Sequence, residues 1–325
     1  MKTLASVAIL GWLSMVTYGC KEEVECPEVL ADHLDDETFI GVDGGRYRRE
    51  ESLCVLVDTY FEPDFLNTHY EKEGDNIFLR VGDERVPTLS TYQDNFESYL
   101  SFNAIFVGAS APRFFTAFEV ISPAAKEREA YESLRRCILN GQCDFIDNRI
   151  SLTPAPEDVA NAVLRFETIA PTFGMETSSA SIISEIPFYE KGDTFIFSAR
   201  FRLVEGSPIA LVNFENRFFL GHPGTRIILE EGALAFENPF GASAVFRQEN
   251  ARPVPRNVWF TLKFEILFDD LEGSIRVFQD DALIIEERTA TMPLANSVQN
   301  YLSFGINASG EKAVLLVDDF SIEKQ

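Results

Sequence analysis

From about residue 145 to the C-terminus, this chain alternates apolar and polar side chains with a period of two, segment after segment, and offers no convincing helix. A period of two places successive side chains on opposite faces of a strand. In 194–203, Phe195, Phe197, Phe201 and Leu203 point one way and Ser198, Arg200 and Arg202 the other. In 258–268, Phe260, Leu262, Phe264 and Ile266 oppose Trp259, Thr261, Lys263 and Glu265. In 209–215, Val212 and Phe214 oppose Asn213 and Glu215. Further strands are expected at 150–153, 162–168, 225–230, 233–238, 274–279, 283–287, 301–306 and 314–322. Strands at this spacing build an all-β sandwich of about 175 residues. Each buries one face, and the 29 phenylalanines of the 325-residue chain supply ample material for the core. If such a sheet curves, its polar face becomes a groove.

The first half reads differently. Residues 20–36 are polar and acidic, a tether. Strands are expected at 53–60, 76–81, 99–107 and 114–121, with turns at Gly74-Asp75 and Gly82-Asp83 between them. A helix is expected at about 123–140, with Ser122 as N-cap, Pro123 at the first helical position and Gly141 ending it. Residues 37–144 then form a small β-rich domain with one helix, ahead of the sandwich domain at 145–325.

Residues 1–19 read as a signal peptide: Lys2 is the positive start, and 4–16 is an apolar stretch too short to span a membrane. A small residue, Gly19, precedes Cys20. The segment resembles a bacterial lipoprotein leader, although Thr17 and Tyr18 depart from that pattern. The resemblance implies lipidation of Cys20 and anchoring to a membrane. Lys21-Glu22-Glu23 resembles a signal for the outer face of the outer membrane; it also reads as a solvated tether. Removing Cys20 leaves Cys26, Cys54, Cys137 and Cys143, an even set bound for an oxidising space. Three pairings are open, and proximity favours Cys26–Cys54 with Cys137–Cys143. A zinc site is the weaker rival, with no CxxC and only three histidines in the chain.

Net charge is −24, from 52 acidic and 28 basic residues. This excludes nucleic acid as a natural partner, because binding there needs clustered cations. It also slows the approach of polyanionic sugars, unless a local basic groove holds them.

Several segments together carry a resemblance: 162–167 (AVLRFE), 191–200 (KGDTFIFSAR), 258–263 (VWFTLK), the hairpin 272–280 (EGSIRVFQD), 303–307 (SFGIN) and 317–322 (VDDFSI). They resemble the concanavalin-A-like jelly rolls. The pair Asn213-Phe214-Glu215 and Pro223-Gly224-Thr225-Arg226 resembles the polysaccharide-lyase-like branch. The resemblance implies a polysaccharide partner on the concave sheet. Lyases of that branch neutralise a uronate carboxylate and remove the adjacent proton. Arg200, Arg202 or Arg226 would neutralise, and His222 or Tyr301 would act as base. Trp259, Lys263 and Glu265 would join Asn213 and Glu215 in binding glycan. Hydrolysis would need two facing carboxylates, for which Glu215 and Glu265 are the pair to test. Each residue also has a structural reading: a turn for His222, surface ion pairs for Arg200 and Arg202, packing for Tyr301 and Trp259. Asp318 and Asp319 are candidate ligands for a structural Ca²⁺.

The fold expected is mainly β: a jelly roll behind a small β-rich domain. The function expected is that of an exported surface lipoprotein binding polysaccharide. The alternatives are a lyase cleaving a uronate glycan by β-elimination and a structural or adhesive protein contacting other proteins.

Overall fold

A computed structural model describes residues 23–26, 29–35, 38–41, 45–50, 53–59, 69–74, 76–81, 83–106, 114–172, 174–215, 224–240, 245–248 and 251–325. Residues 1–19, read in the sequence as a signal segment, and Cys20, and also His222 and Pro223, lie outside the described residues. The chain divides into two compact units, 1–63 and 64–325.

In the first unit, β1 (Glu23–Val24), β2 (Val29–Asp35), β3 (Thr38–Gly41), β4 (Gly45–Glu50) and β5 (Leu53–Thr59) form an antiparallel sheet in the order β1-β5-β4-β3-β2. Phe39, Tyr47 and Cys54 are its buried cluster. Cys26 and Cys54 form a disulfide.

In the second unit, β6 (Tyr70–Glu73), β7 (Asn76–Val81) and β8 (Glu84–Pro87) form a small meander. The remaining strands are β9 (Tyr92–Asp94), β10 (Ala117–Glu119), β11 (Arg149–Pro154), β12 (Ala162–Thr168), β13 (Ser178–Ser184), β14 (Thr194–Glu205), β15 (Ala210–Glu215), β16 (Thr225–Glu230), β17 (Ala233–Glu237), β18 (Val245–Arg247), β19 (Trp259–Leu267), β20 (Gly273–Gln279), β21 (Ala282–Thr289), β22 (Tyr301–Ser309) and β23 (Ala313–Lys324). They make two antiparallel sheets. One runs β10-β13-β22-β15-β16-β17-β18; the other runs β11-β12-β23-β14-β19-β20-β21, with β9 also paired to β23. This is the all-β sandwich the alternation predicts, in the jelly-roll arrangement the resemblance implies.

The expected domain boundary near residue 145 does not appear. Strands β9 and β10, from the stretch assigned to the small domain, pair with β23 and β13 of the sandwich. Their rings explain why: Phe114, Phe115 and Phe118 are buried in the same core as Phe304 and Phe320.

The core lies between the sheets. From β14 come Phe195, Phe197 and Phe201; from β19, Phe260 and Phe264; from the facing sheet, Phe214, Phe236 and Phe304. Offset stacks and edge-to-face contacts join these rings, the geometries that the ring quadrupole favours. Two tight hairpins turn on residues with positive φ, Glu231-Gly232 and Asp280-Asp281, as two-residue turns of right-twisted strands require.

Two local expectations are corrected. Within the expected strand 99–107, the described residues 99–106 are not a strand; Phe102–Ile105 form a 3-10 turn, and Val107 lies outside the described residues. Phe102 and Phe106 both pack against Phe118, a four-residue spacing that suits a helical turn. The helix begins later than expected: α1 is Arg128–Leu139. A turn closed from Ala125 N–H to the Ser122 carbonyl uses up the expected start, and Asp147 holds the Ala124 N–H. Its end is as expected: Gly141 has φ +67 and donates to the Ile138 carbonyl, and Gln142 donates to Cys137. Cys137 and Cys143 form a disulfide there.

Candidate functional site

The polar residues singled out in the sequence fall on two different outer faces. Arg200, Arg202, Trp259, Lys263 and Glu265 belong to β14 and β19, neighbours in one sheet. Asn213, Glu215, Arg226 and Tyr301 belong to β15, β16 and β22 of the other. Glu215 and Glu265 therefore sit on opposite sheets, which removes them as a facing hydrolase pair. Alternation identifies the solvent side of a strand but not the sheet it joins, so the two sets look alike in sequence.

On the first face, Arg200, Arg202, Lys263 and Arg276 each meet a carboxylate. Arg200 Nη1 is 2.9 Å from Asp319 Oδ2 and 3.6 Å from Asp318 Oδ2, with its guanidinium 4.8 Å from the Trp259 ring centroid. Arg202 pairs with Glu157 at 2.8 Å, and Trp259 Nε1 donates to the same carboxylate. Lys263 and Arg276 bracket Glu265 at 2.8 and 2.7 Å. Burial acts to raise the Glu265 pKa, but the hydrogen bonds and charges of Lys263 and Arg276 outweigh it and hold the carboxyl below its ordinary value. These partly exposed pairs read as a charge-balanced surface, each worth about 0–1 kcal/mol.

Asp318 and Asp319 form an irregularity where β23 slips register against β14, and Asp319 has φ +47. Asp318 is buried; its Oδ2 accepts from Asn161 Nδ2 at 3.0 Å and its Oδ1 from the Asp319 N–H at 2.8 Å. Arg200 supplies the neighbouring positive charge. Among the described residues, no group of three or more His, Cys, Asp and Glu side chains is placed to hold a metal ion.

The second face is different. Tyr301 and Glu215 are direct partners across β22 and β15. One row along, Ser303, Asn213 and Arg226 lie side by side across β22, β15 and β16, and Glu237 follows on β17. The intervening Leu302, Val212, Phe214 and Ile227 all point into the core. Arg226 Nη1 is 3.5 Å from Glu237 Oε2, a long contact, and its Nε is buried without a hydrogen-bond partner, as is Asn213 Oδ1. Buried polar atoms left unmatched in this way are costly, and they suit a face that takes a polar ligand.

The electrostatics follow from burial. Burial pushes the Glu215 carboxyl up; Arg226 opposes that, and the charge of Glu119 adds to it. Burial also holds the Tyr301 proton well above its ordinary pKa, reinforced by Glu119, Glu215 and Glu185. Glu119, on β10, is raised by burial against a hydrogen bond from Ser179 Oγ at 2.9 Å and the charge of Arg135. The result is a carboxyl with a raised pKa beside a phenol that keeps its proton.

Glu119, Ser181 and Ser303 escaped the sequence reading. Strand β13 is rich in serine and lacks the β-branched and aromatic signature of a strand, so its row of the face was invisible. The alternation Ala117-Phe118-Glu119 was the available signal for Glu119.

Two clefts lie elsewhere. One, about 600 Å³, is lined by Tyr92, Asp94, Tyr99, Asp319 and Ser321. There Asp94 Oδ2 accepts from both phenols and Oδ1 from the Phe96 N–H, so its carboxylate is fully engaged. The other, about 490 Å³, lies beside the Cys137–Cys143 disulfide.

No protein-family model matches the chain, and no curated protein matches it. The sandwich is similar to those of several solved structures. An endo-β-1,4-glucuronan lyase from the fungus Trichoderma reesei shares 14% identity, covering 55% of this chain and 88% of that one, with a TM-score of 0.45. The alginate lyase AlyC3 in complex with dimannuronate shares 10%, covering 71% and 95%, with a TM-score of 0.47. An alginate lyase from Corynebacterium sp. shares 12%, covering 65% and 95%, with a TM-score of 0.43.

Proposed function

We propose that the outer face of the β10-β13-β22-β15-β16-β17-β18 sheet binds a uronate-containing polysaccharide and cleaves it by β-elimination. The observation that carries this reading is the Tyr301–Glu215 cross-strand pair with Asn213 and Arg226 in the adjoining row. Elimination needs three things: a group that neutralises the uronate carboxylate, a base for the C5 proton, and an acid for the leaving O4. Arg226, aided by the Asn213 amide, neutralises the carboxylate and so acidifies C5–H. Glu215, as the carboxylate, takes the proton, its pKa raised by burial. The C5–H electrons form the C4=C5 double bond, the C4–O4 bond breaks, and the Tyr301 phenol protonates O4. Tyr301 is given the acid's role because at rest it is the protonated phenol, not the phenolate that a base would have to be.

The lipoprotein leader belongs to the same proposal: lipidated Cys20 would hold the face at a membrane surface, where polymer arrives from outside. Substituting Cys20→Ala would then release the protein from the membrane fraction.

The test is incubation with a panel of neutral and uronate polysaccharides. Growth of ultraviolet absorbance from an unsaturated uronate, lost in Tyr301→Phe and Glu215→Gln, supports elimination. Binding without product rejects elimination and leaves a capture protein. Neither binding nor product rejects the glycan reading.

A further inference from the structure

The chemistry above uses the middle of the face and leaves its β10 end unexplained. Three larger side chains stand there: Glu119 on β10, and Tyr131 and Arg135 on α1. The helix belongs to neither sheet, yet it is firmly held. Tyr131 Oη donates to the Phe118 carbonyl at 2.9 Å, and Asn103 Nδ2 donates to the Ile138 carbonyl at 2.9 Å. Ile138 is buried in the core, Leu134 and Leu139 pack against it, and the Cys137–Cys143 disulfide closes the helix end. A helix fixed at this many points presents Arg135 in a set place. Its Nη1 lies 3.3 Å from Tyr131 Oη and its guanidinium 5.3 Å from the Tyr131 ring centroid.

The side chains between this corner and the middle are mostly short, with Ile183, opposite Ser303, the exception. Glu119 is opposite Ser181, Ser181 is opposite Gly305, and Ser303 follows one row along, beside Asn213. Tyr131, Arg135 and Glu119 stand at the β10 end, Tyr301 and Glu215 on the middle strands, and Arg226 on β16. Glu119 and Tyr131 lie near enough to Tyr301 for their charges to raise its pKa. From β10 to β16 is four strand steps, about 20 Å at about 5 Å per step. That length holds several sugar residues laid across the strands, with a cation near each end. The acidic group at this corner, Glu119, is buried, accepts from the Ser179 hydroxyl at 2.9 Å, and has its pKa raised by burial against the charge of Arg135.

We propose that Arg135 is a second uronate-binding residue, placed by α1 at the β10 end of the face, which makes the site select chains of several uronates over short ones. This rests on the glycan reading of the same face. A guanidinium pairs with a carboxylate through two parallel N–H bonds, the preferred geometry for such recognition. Arg135 touches no reacting atom in this scheme; it adds affinity and register.

The experiment compares binding of a long polyuronate and a uronate disaccharide to the full chain, for wild type, Arg135→Gln and Arg135→Lys. The thermal midpoint of each variant serves as the folding control. Arg135→Gln should weaken the long ligand about tenfold, the size of one lost charge-assisted hydrogen bond, and leave the disaccharide unchanged. Arg135→Lys should retain part of the long-chain affinity. An unchanged long-to-short ratio in Arg135→Gln, in a wild type that does bind, overturns this inference alone. A wild type that binds no uronate of either length overturns the glycan reading and this inference with it.

Discussion

Phe214 is the hinge between the sandwich core and the proposed site, and Phe214→Ala tests both. The ring is 1% exposed, on β15 between Asn213 and Glu215, which face the other way. It stacks on Phe195 of the opposite sheet at 4.1 Å and meets Tyr189 and Phe268 at 5.6 and 5.7 Å. A buried phenylalanine removes roughly 150–200 Å² of apolar surface from water, about 4–5 kcal/mol at ~25 cal/mol per Å². Alanine keeps a minor share of that, and the vacated volume adds a cavity cost. The expected loss is about 3–5 kcal/mol. Urea unfolding followed by Trp259 fluorescence measures it, because Trp259 lies on the other sheet and the remaining tryptophan, Trp12, lies outside the described residues. Loss of the Trp259 signal then reports the sandwich as one unit. The adjacent Asn213→Ala should cost under about 1 kcal/mol, since its side-chain oxygen has no partner to lose. A Phe214→Ala cost below about 1 kcal/mol, or an Asn213→Ala cost as large as that of Phe214→Ala, would refute the assignment of inner and outer faces on β15.

Other outcomes follow from the same geometry. Glu119 and Glu215 have folded pKa values above their unfolded ones, so they bind protons more tightly when folded, and stability falls as pH rises from the unfolded value through the folded one. Glu119→Gln and Glu215→Gln should each flatten that fall, seen as a smaller drop in thermal midpoint across the carboxylate range. A steeper drop would contradict the burial argument. Gly305→Ala should destabilise by about 1–3 kcal/mol in denaturant titration, because φ is +125° and the new Cβ would lie 2.7 Å from the Phe166 ring. Arg200→Ala and Lys263→Ala should leave polysaccharide binding unchanged while Arg226→Ala weakens it; isothermal titration that ranks them the other way would move the site to the opposite sheet.

Much of the fold was legible because its cause is local. The alternation in 194–203 and 258–268 reappears residue for residue as the buried and half-buried faces of β14 and β19. Cys26–Cys54 and Cys137–Cys143 pair as proximity favoured. The misreadings have physical sources. Phe102 and Phe106 look like strand alternation until their four-residue spacing finds Phe118. The serines of β13 carry little intrinsic strand preference, and packing against Phe166 and Phe304 overrides it.

The sequence by itself therefore determined a mainly β chain, the solvent side of each strong strand, the cysteine pairs favoured by proximity and an acidic surface. These depend on side-chain period, spacing and charge, which are properties of the chain alone. Only the tertiary structure decided which strands share a sheet. That choice separates Arg200, Trp259 and Lys263 from Glu215, and gathers Glu215, Tyr301, Asn213 and Arg226 with Glu119 and Arg135, residues far apart in the chain. Cross-strand register and the docking of α1 set that grouping, and both arise from long-range packing of the phenylalanine core rather than from any local pattern.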